Sequence, residues 1–493
     1  MDQGLQPDGR ARPDGNDDAS PARQPGRHRA AAASFAAGWA GTGRQSAGRW
    51  FRRRFAGRGH RRLLPGRGRD LRGHRGQEGC GIVSLHDNQL LIKKGLGLVC
   101  DNFKQEDLKK LKGKSAIGHV RYSTTQAHDL VDVQPLMASF QGRFLALAHN
   151  GNLTNAHHLR AKLENTGAIF QSSSDSEIFF HLISQSKKTS FKEKFIEAVK
   201  TVEGAFSLIV MTKNGILACR DSHGFRPLAL GKLGSSYVVA SETCAFDLIN
   251  ADYVRDIGEG EILDIRDDGL HSVNPFEKIE PKKCIFEYVY FARPDSQIFG
   301  SNVYEVRKNL GRELAREHPV EADMVIPVPD SGVPAAIGYS QESRLPYDMG
   351  IIRNHYVGRT FIEPQQSIRH FGVKVKLNAV SQTISGKRLI VIDDSLVRGT
   401  TSQKIIKMLR AAGAKEIHMR ISSPPTTHSC FYGIDTPTRE ELIASSHSVE
   451  DIRKFITADS LAYLSQEGLV RAASQNKNSS GFCTACFDGK YPV

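Results

Sequence analysis

Two kinds of stretch carry the chemistry that this sequence can do. The run RLIVIDDSLVRGTTS, residues 388–402, ends an apolar strand in two adjacent carboxylates, Asp393 and Asp394, and opens a helix at Thr400–Thr401. Such a turn is an anion site. The backbone N–H groups of Arg398, Gly399, Thr400 and Thr401 can converge on one phosphate, and the hydroxyls and the helix N-terminus reinforce them. Gly399 lets the backbone approach closely. The two acids upstream suit ribose hydroxyls or a hydrated magnesium ion. A second strand-to-helix turn, VIPVPDSGVPAA (325–336), offers Asp330, Ser331 and Gly332. A third stretch, 356–378, holds Arg359, Arg369, Lys374 and Lys376, and taken alone reads as a solvated basic loop.

The other kind of stretch lies in the first half. HRGQEG contains Arg75, GHVRYSTT contains Arg121, HNGNLTN contains Asn150 and Gly151, and SSDSEIF contains Asp175. An amino-acid substrate needs a guanidinium for its carboxylate, a carboxylate for its ammonium and neutral donors for a tetrahedral oxyanion. Arg121, Asp175 and the pair Asn150/Gly151 can fill those places. Singly, each reads as a turn or cap residue. Cys80, in GCGIV, has the look of a nucleophile at the head of a strand, or of a small residue buried in it. The pair Cys483 and Cys486 in FCTAC is a C-x-x-C; zinc, iron–sulfur and redox roles all fit that spacing.

These residues need two different scaffolds. Between residues 80 and 270 short β-like runs bounded by Gly, Asn or Asp predominate, with helical spacing in DSEIFFHLISQS and FKEKFIEAVKTV. This predicts an α+β layered domain, closed by a loop over 267–283. From residue 303, helix and strand alternate: VYEVRKNLGRELAREH, ADMVIPVPD, KRLIVIDD and EIHMRISSPP. Unbroken apolar strands of this kind fit a parallel sheet covered on both faces.

Together the phosphate turns resemble the phosphoribosyl pyrophosphate (PRPP) motif of type I phosphoribosyltransferases. The motifs of the first half resemble class II glutamine amidotransferases. Both in one chain, with EYVYFARPDS (287–296), HGFRPLALG (223–231) and IDTPTREELIASSHS (434–448), resemble the amidophosphoribosyltransferase family over residues 74–493. The resemblance implies an Ntn-hydrolase-type glutaminase domain, a layered αββα, over 74–270. An α/β type I phosphoribosyltransferase domain with a parallel sheet then spans 285–465, and a C-terminal iron–sulfur ligand segment spans 466–493.

The same resemblance implies the first committed step of purine biosynthesis. Glutamine gives ammonia, which displaces pyrophosphate from PRPP. Asp393, Asp394, Arg398, Gly399, Thr400, Thr401, Asp330, Gly332 and Arg359 would bind PRPP, with Arg359 on a loop that closes over it. Ser331, Asp393 and Asp394 would hold magnesium. The Bacillus-like branch carries a structural 4Fe–4S cluster, which assigns Cys244, Cys430, Cys483 and Cys486 as ligands and leaves Cys100, Cys219 and Cys284 as small buried residues. Purine nucleotides as feedback inhibitors, a homotetramer and a cytoplasmic setting are implied too, with neither membrane nor nucleic acid as partner. The family continues through a short segment beyond GKYPV.

Residues 1–73 do not fit this picture. They hold 16 Arg, no Lys, no Glu and 6 Asp, a net of +10 out of +14 for the chain, together with both Trp residues. Three readings stand: translation out of frame, an inert disordered tail, and a basic arm for RNA. The family's nucleophile is an N-terminal cysteine whose own α-amino group is the general base; no cysteine precedes Cys80. The expectations are therefore that the glutaminase half lacks its nucleophile strand and that the chain works with free ammonia. The competing reading is a non-catalytic relative with a regulatory or nucleic-acid-binding arm. Cys80 directly follows HRGQEG, at a position where the resemblance implies a small buried strand residue and not the nucleophile; cleavage before it, to expose it as the nucleophile, is a third reading.

Overall fold

The structure, a computed structural model, describes residues 37–41, 78–122, 129–354, 377–474 and 481–493, with backbone alone for 37–41. The first half is two stacked sheets. One has seven strands in the order β11-β9-β10-β1-β4-β2-β3. These are β1 (Ala37–Gly41), β2 (Gly79–His86), β3 (Gln89–Leu96), β4 (Ser115–Arg121), β9 (Ala229–Leu233), β10 (Ser236–Ala240) and β11 (Asp252–Asp256). The other has six in the order β13-β12-β8-β7-β6-β5. These are β5 (Leu136–Phe140), β6 (Arg143–Leu153), β7 (Gly204–Thr212), β8 (Gly215–Arg220), β12 (Ile262–Arg266) and β13 (Gly269–Val273).

The central strands of the six-stranded sheet are buried on both faces, which explains their apolar runs. Ala146, Ala148, Ile209 and Met211 face the other sheet, packing with Val83, Ile117 and Val239. Their neighbours Leu145, Leu147, Leu208 and Val210 face the helices Ile178–Gln185 and Phe191–Thr201, through Phe179, Ile183 and Phe195. The alternation is the two-residue period of a strand with apolar neighbours on either side. On the outer face of the seven-stranded sheet, Phe246 of helix Cys244–Ile249 packs on Ala229, Val238 and Ala240. Two expectations change here. The loop expected over 267–283 contains β13, because Gly269–Val273 pairs antiparallel with β12. The segment 1–73, expected to leave the nucleophile strand missing, supplies β1. Ala37–Gly41 pairs antiparallel with both β10 and β4. A strand there satisfies the ladder edges that β10 and β4 would otherwise turn to an open slot.

The second half is a four-stranded parallel sheet. Its order is Met324–Pro327, Arg388–Asp393, Glu416–Ile421, Ser460–Tyr463. Val325, Ile390 and Ile392 face helices Val303–Glu317 and Val333–Ser343. Met324, Ile326, Leu389 and Val391 face helices Thr400–Ala411 and Val449–Ile456. The final residues return to the junction of the halves, where Phe482–Cys483 pairs in parallel with Lys283–Cys284. Among the described residues no helix is long and apolar enough to cross a membrane.

Candidate functional site

The parallel sheet places two of the three predicted phosphate turns side by side. Met324–Pro327 and Arg388–Asp393 are neighbouring strands, and the N–H of Val328 donates to Ile392 O at 2.8 Å where both chains leave the sheet. Ligands of open α/β sheets gather at these carboxyl ends. Asp393 and Asp394 are buried at the end of their strand. The Asp393 carboxylate accepts the N–H of Asp394 at 2.9 Å and the Ser331 hydroxyl at 3.5 Å, so the two turns meet at the acids. Burial, and then the adjacent Asp394, push the Asp393 carboxyl well above the usual carboxylate range. Asp394 accepts the Ser395 hydroxyl at 2.6 Å.

Gly399 has φ +73° and precedes helix Thr400–Ala411, which has no capping side chain. The first-turn amides, with exposed Thr400 and Thr401, are thereby left for an anion. Arg398 reaches the other way, pairing with Glu441 at 3.0 Å. Gly332 caps helix Val333–Ser343, and Asp330 is ion-paired with Arg353, a residue that sequence reasoning passed over. Arg359, Arg369, Lys374 and Lys376 lie outside the described residues, as does Arg75.

The glutamine-side residues also converge. Asn150 and Gly151 lie on β6 opposite Ser207 and Phe206 of β7. Gly151 has φ +151°, and a Cβ there would fall 1.9 Å from Ala205 O, so no side chain fits. Asn150 is fully buried, and neither polar atom of its side chain has a hydrogen-bond partner among the described residues. Asp175 accepts the N–H of Leu153 at 2.9 Å and lies 3.8 Å from His149 Nδ1. His149 is fixed in turn by Gln134, which accepts its N–H at 2.7 Å, and by Ser176 at 2.9 Å. Arg121, at the end of β4, reaches Asp132 at 3.5 Å, and Asp132 accepts the N–H and hydroxyl of Ser173 at 2.8 and 2.9 Å. Asp132, His149, Gln134 and Ser176 were not singled out from sequence: His149 and Ser176 lie within HNGNLTN and SSDSEIF, where their neighbours drew the reading, while Asp132 and Gln134 act through tertiary contacts that no local motif announces.

Cys80 is buried one residue inside the start of its strand, paired with Gly95 of β3 and Val120 of β4. Burial pushes its thiol up to about 11, with Cys100 next in effect. A thiol in that state is a poor nucleophile.

The sequence matches the glutamine amidotransferase domain family over residues 119–247. The amidophosphoribosyltransferase of Bacillus subtilis is 51% identical over 423 residues, covering 85% of this chain and 89% of that protein. The chain belongs to the amidophosphoribosyltransferases. The chloroplastic amidophosphoribosyltransferase of Glycine max is 52% identical over 422 residues, covering 85% of this chain and 74% of that one. Among solved structures, the glutamine PRPP amidotransferase of B. subtilis complexed with ADP and GMP matches with TM-score 0.83 and 48% identity. It covers 93% of this chain and 97% of its own. A structure described as the allosteric regulatory enzyme of purine biosynthesis matches with TM-score 0.84 and 47% identity, over 93% and 96%. The fold is thus the expected glutamine amidotransferase domain followed by a phosphoribosyltransferase domain, and the activity is a glycosyl transfer, the first step of purine biosynthesis.

The cysteines of this amidophosphoribosyltransferase group differently from the expectation. One apolar cavity at the junction of the halves is lined by Cys284, Cys430, Cys483 and Cys486, with Phe225, Phe286 and Tyr432. Cys244 is elsewhere. It lies buried at the start of helix Cys244–Ile249, its thiol 3.9 Å from Glu242, which also accepts the Ser296 hydroxyl at 2.7 Å. Burial, then Glu242, push the Cys244 thiol up to about 12. Cys244, expected together with Cys430, Cys483 and Cys486, is thus not beside them; Cys284, which the parallel ladder sets opposite Cys483, stands in the cavity instead. The available signal was its place three residues before EYVYFARPDS. Among the described residues no three His, Cys, Asp or Glu side chains are gathered for one metal ion. A 4Fe–4S cluster takes each thiolate on a separate iron and asks instead for sulfurs spread around a cavity.

Proposed function

We propose that this chain transfers ammonia to PRPP in its second half and does not draw that ammonia from glutamine. The observation that carries the reading is the slot between β10 and β4. It is filled by Ala37–Gly41, a strand without cysteine, and no cysteine precedes Cys80 in the sequence. Cys80 is an internal ladder residue, with a peptide bond where the mechanism needs a free amine.

In the transferase half, the amides and hydroxyls of Gly399, Thr400 and Thr401 hold the 5-phosphate, and Asp393 and Asp394 take the ribose hydroxyls. Asp330, Ser331 and Gly332 form the turn that takes the pyrophosphate; the N–H of Arg398 belongs to the 5-phosphate turn while its guanidinium pairs with Glu441, and Arg359, outside the described residues, would add positive charge. Two adjacent buried carboxyl groups with a hydroxyl 3.5 Å from one of them are an oxygen donor set that fits a divalent cation, and Ser331, Asp393 and Asp394 would hold magnesium. Magnesium supplies neutralisation of charge on the departing pyrophosphate. The protein orients C1 of the ribose toward ammonia and shields it from water.

In the first half Arg121, Asp175 and Asn150/Gly151 keep the form of a glutamine site, with Asn150 as the oxyanion donor. The four cavity cysteines fit a structural 4Fe–4S cluster by donor chemistry: four thiols, apolar walls and no competing carboxylate or imidazole in the lining. All eight cysteines are free, which fits a reducing, cytoplasmic setting. Feedback by purine nucleotides is supported by the relative solved with ADP and GMP; the homotetramer rests on the resemblance alone.

The test is release of pyrophosphate from PRPP with ammonium chloride as amine donor. Magnesium-dependent release that Asp394→Asn abolishes supports the reading. No release from folded protein overturns it in favour of a non-catalytic relative.

A further inference from the structure

The oxyanion strand of the glutamine half is held from two sides, and one side belongs to the other domain. Within its own half, Gly151 and Asn152 pair with Phe206 and Ala205 of β7, and Leu153 donates to Asp175. From the transferase half comes the turn Cys430–Gly433. The Asn152 side-chain amide donates to Phe431 O at 2.9 Å. Gly433, at φ +96°, approaches so closely that a Cβ on it would lie 2.9 Å from Gly151 Cα and C. Between them, Tyr432 donates its N–H to Cys430 Sγ at 3.2 Å and stacks on Phe225 at 4.3 Å and 13°. Cys430, Tyr432 and Phe225 all line the cysteine cavity. The same four-residue turn therefore touches the cavity at one end and the oxyanion strand at the other.

We infer that the turn Cys430–Gly433 is a positioning element for Asn150 and Gly151, and that anchoring Cys430 in the cysteine cavity sets how tightly the oxyanion strand is held. The inference rests on the glutamine-site and cluster readings above. Physically, the buried Asn150 amide has no hydrogen-bond partner among the described residues, so the backbone on either side is what fixes its aim there. A turn packed backbone to backbone against that strand leaves it no room to shift. Anchoring Cys430 immobilises the turn; leaving the cavity empty lets it move.

The experiment uses the full chain. Amide hydrogen exchange is followed at residues 149–153 with and without iron–sulfide reconstitution, beside equilibrium binding of glutamine. Reconstitution is expected to slow exchange at 149–153 and tighten glutamine binding, and Cys430→Ser to remove both effects. Asn152→Ala is expected to speed exchange there and to weaken glutamine about tenfold, the worth of one hydrogen bond. Asn152→Asp, of the same shape but unable to donate, behaves as Asn152→Ala. Gly433→Ala acts in the same direction. A merely structural role for the turn lowers the melting temperature without altering exchange at 149–153 in the folded chain, and that result overturns the inference. So does a reconstituted cluster that leaves 149–153 unchanged. Wild-type protein that takes up no iron refutes the cluster reading, and protein that binds no glutamine refutes the glutamine-site reading. Exchange in Asn152→Ala then still decides whether the turn holds the strand.

Discussion

Cys284 and Cys483 stand opposite each other in a two-residue parallel ladder, Lys283–Cys284 against Phe482–Cys483. One belongs to the passage between the two halves, the other to the last residues of the chain. The Lys283 N–H donates to Gly481 O at 3.0 Å, and the N–Hs of Thr427 and His428 both donate to Cys486 O at 3.1 Å. Three separate segments are thus drawn to one cavity by backbone bonds.

The cavity distinguishes two cysteines that sequence spacing could not. After anaerobic reconstitution, Cys284→Ser loses bound iron and sulfide and the visible absorbance of the cluster, while Cys244→Ser retains them. Iron and acid-labile sulfide assays decide it.

The phosphate turn depends on backbone that a side chain would spoil. Gly399→Ala forces a left-handed residue, costing about 1–2 kcal/mol, and sets a Cβ 3.1 Å from Phe455 Cε1. PRPP affinity is expected to fall roughly tenfold by calorimetry, with the fold retained. Asp393→Asn reduces the ammonia-dependent rate on the order of 100-fold and flattens its magnesium dependence.

Arg226 and Glu287 form an ion pair, 3.2 Å apart, with both side chains fully buried. Arg226 lies over the Phe291 ring at 5.0 Å, so the pair ties the amidotransferase half to the start of the transferase half. Arg226→Met takes the buried guanidinium away from the Glu287 carboxylate and costs about 3–5 kcal/mol in urea unfolding. Arg226→Met combined with Glu287→Leu recovers most of that loss.

His119 gives the fold an acid limit. Burial pushes its imidazole down to about 3, and its Nε2 faces His149 O at 3.2 Å. The unfolded chain takes up that proton near the ordinary value of about 6.5 while the folded chain stays neutral. Stability is therefore complete above about 6.5 and falls as pH drops toward 3, by at most about 1.4 kcal/mol per pH unit. His119→Gln flattens this stretch of the stability–pH curve, measured by urea midpoints between pH 7 and 4.

Much of this was legible in the residues. The apolar run 389–392 followed by Asp393, Asp394, Gly399 and Thr400 announces strand, turn and helix locally, and the structure has them there. The helices 178–185 and 191–201 follow from apolar spacing. What stayed hidden was set by tertiary pairing. Strand β13 forms because β12 offers an edge, although GLHSV reads as loop. Cys284 joins the cavity through a partner almost at the end of the chain, a relation with no local period. Strand β1 is the extreme case, since AGWAG has neither strong strand propensity nor alternation and is paired by what lies on either side.

The central claim is that the transferase half works while the amidotransferase half has no nucleophile. Its most direct test places glutamine and ammonium chloride side by side at saturating PRPP and magnesium, following pyrophosphate and glutamate together. The predicted result is pyrophosphate release with ammonium and neither pyrophosphate nor glutamate with glutamine. Glutamate formed from glutamine at a rate matching pyrophosphate release, by protein still beginning at Met1, contradicts the account.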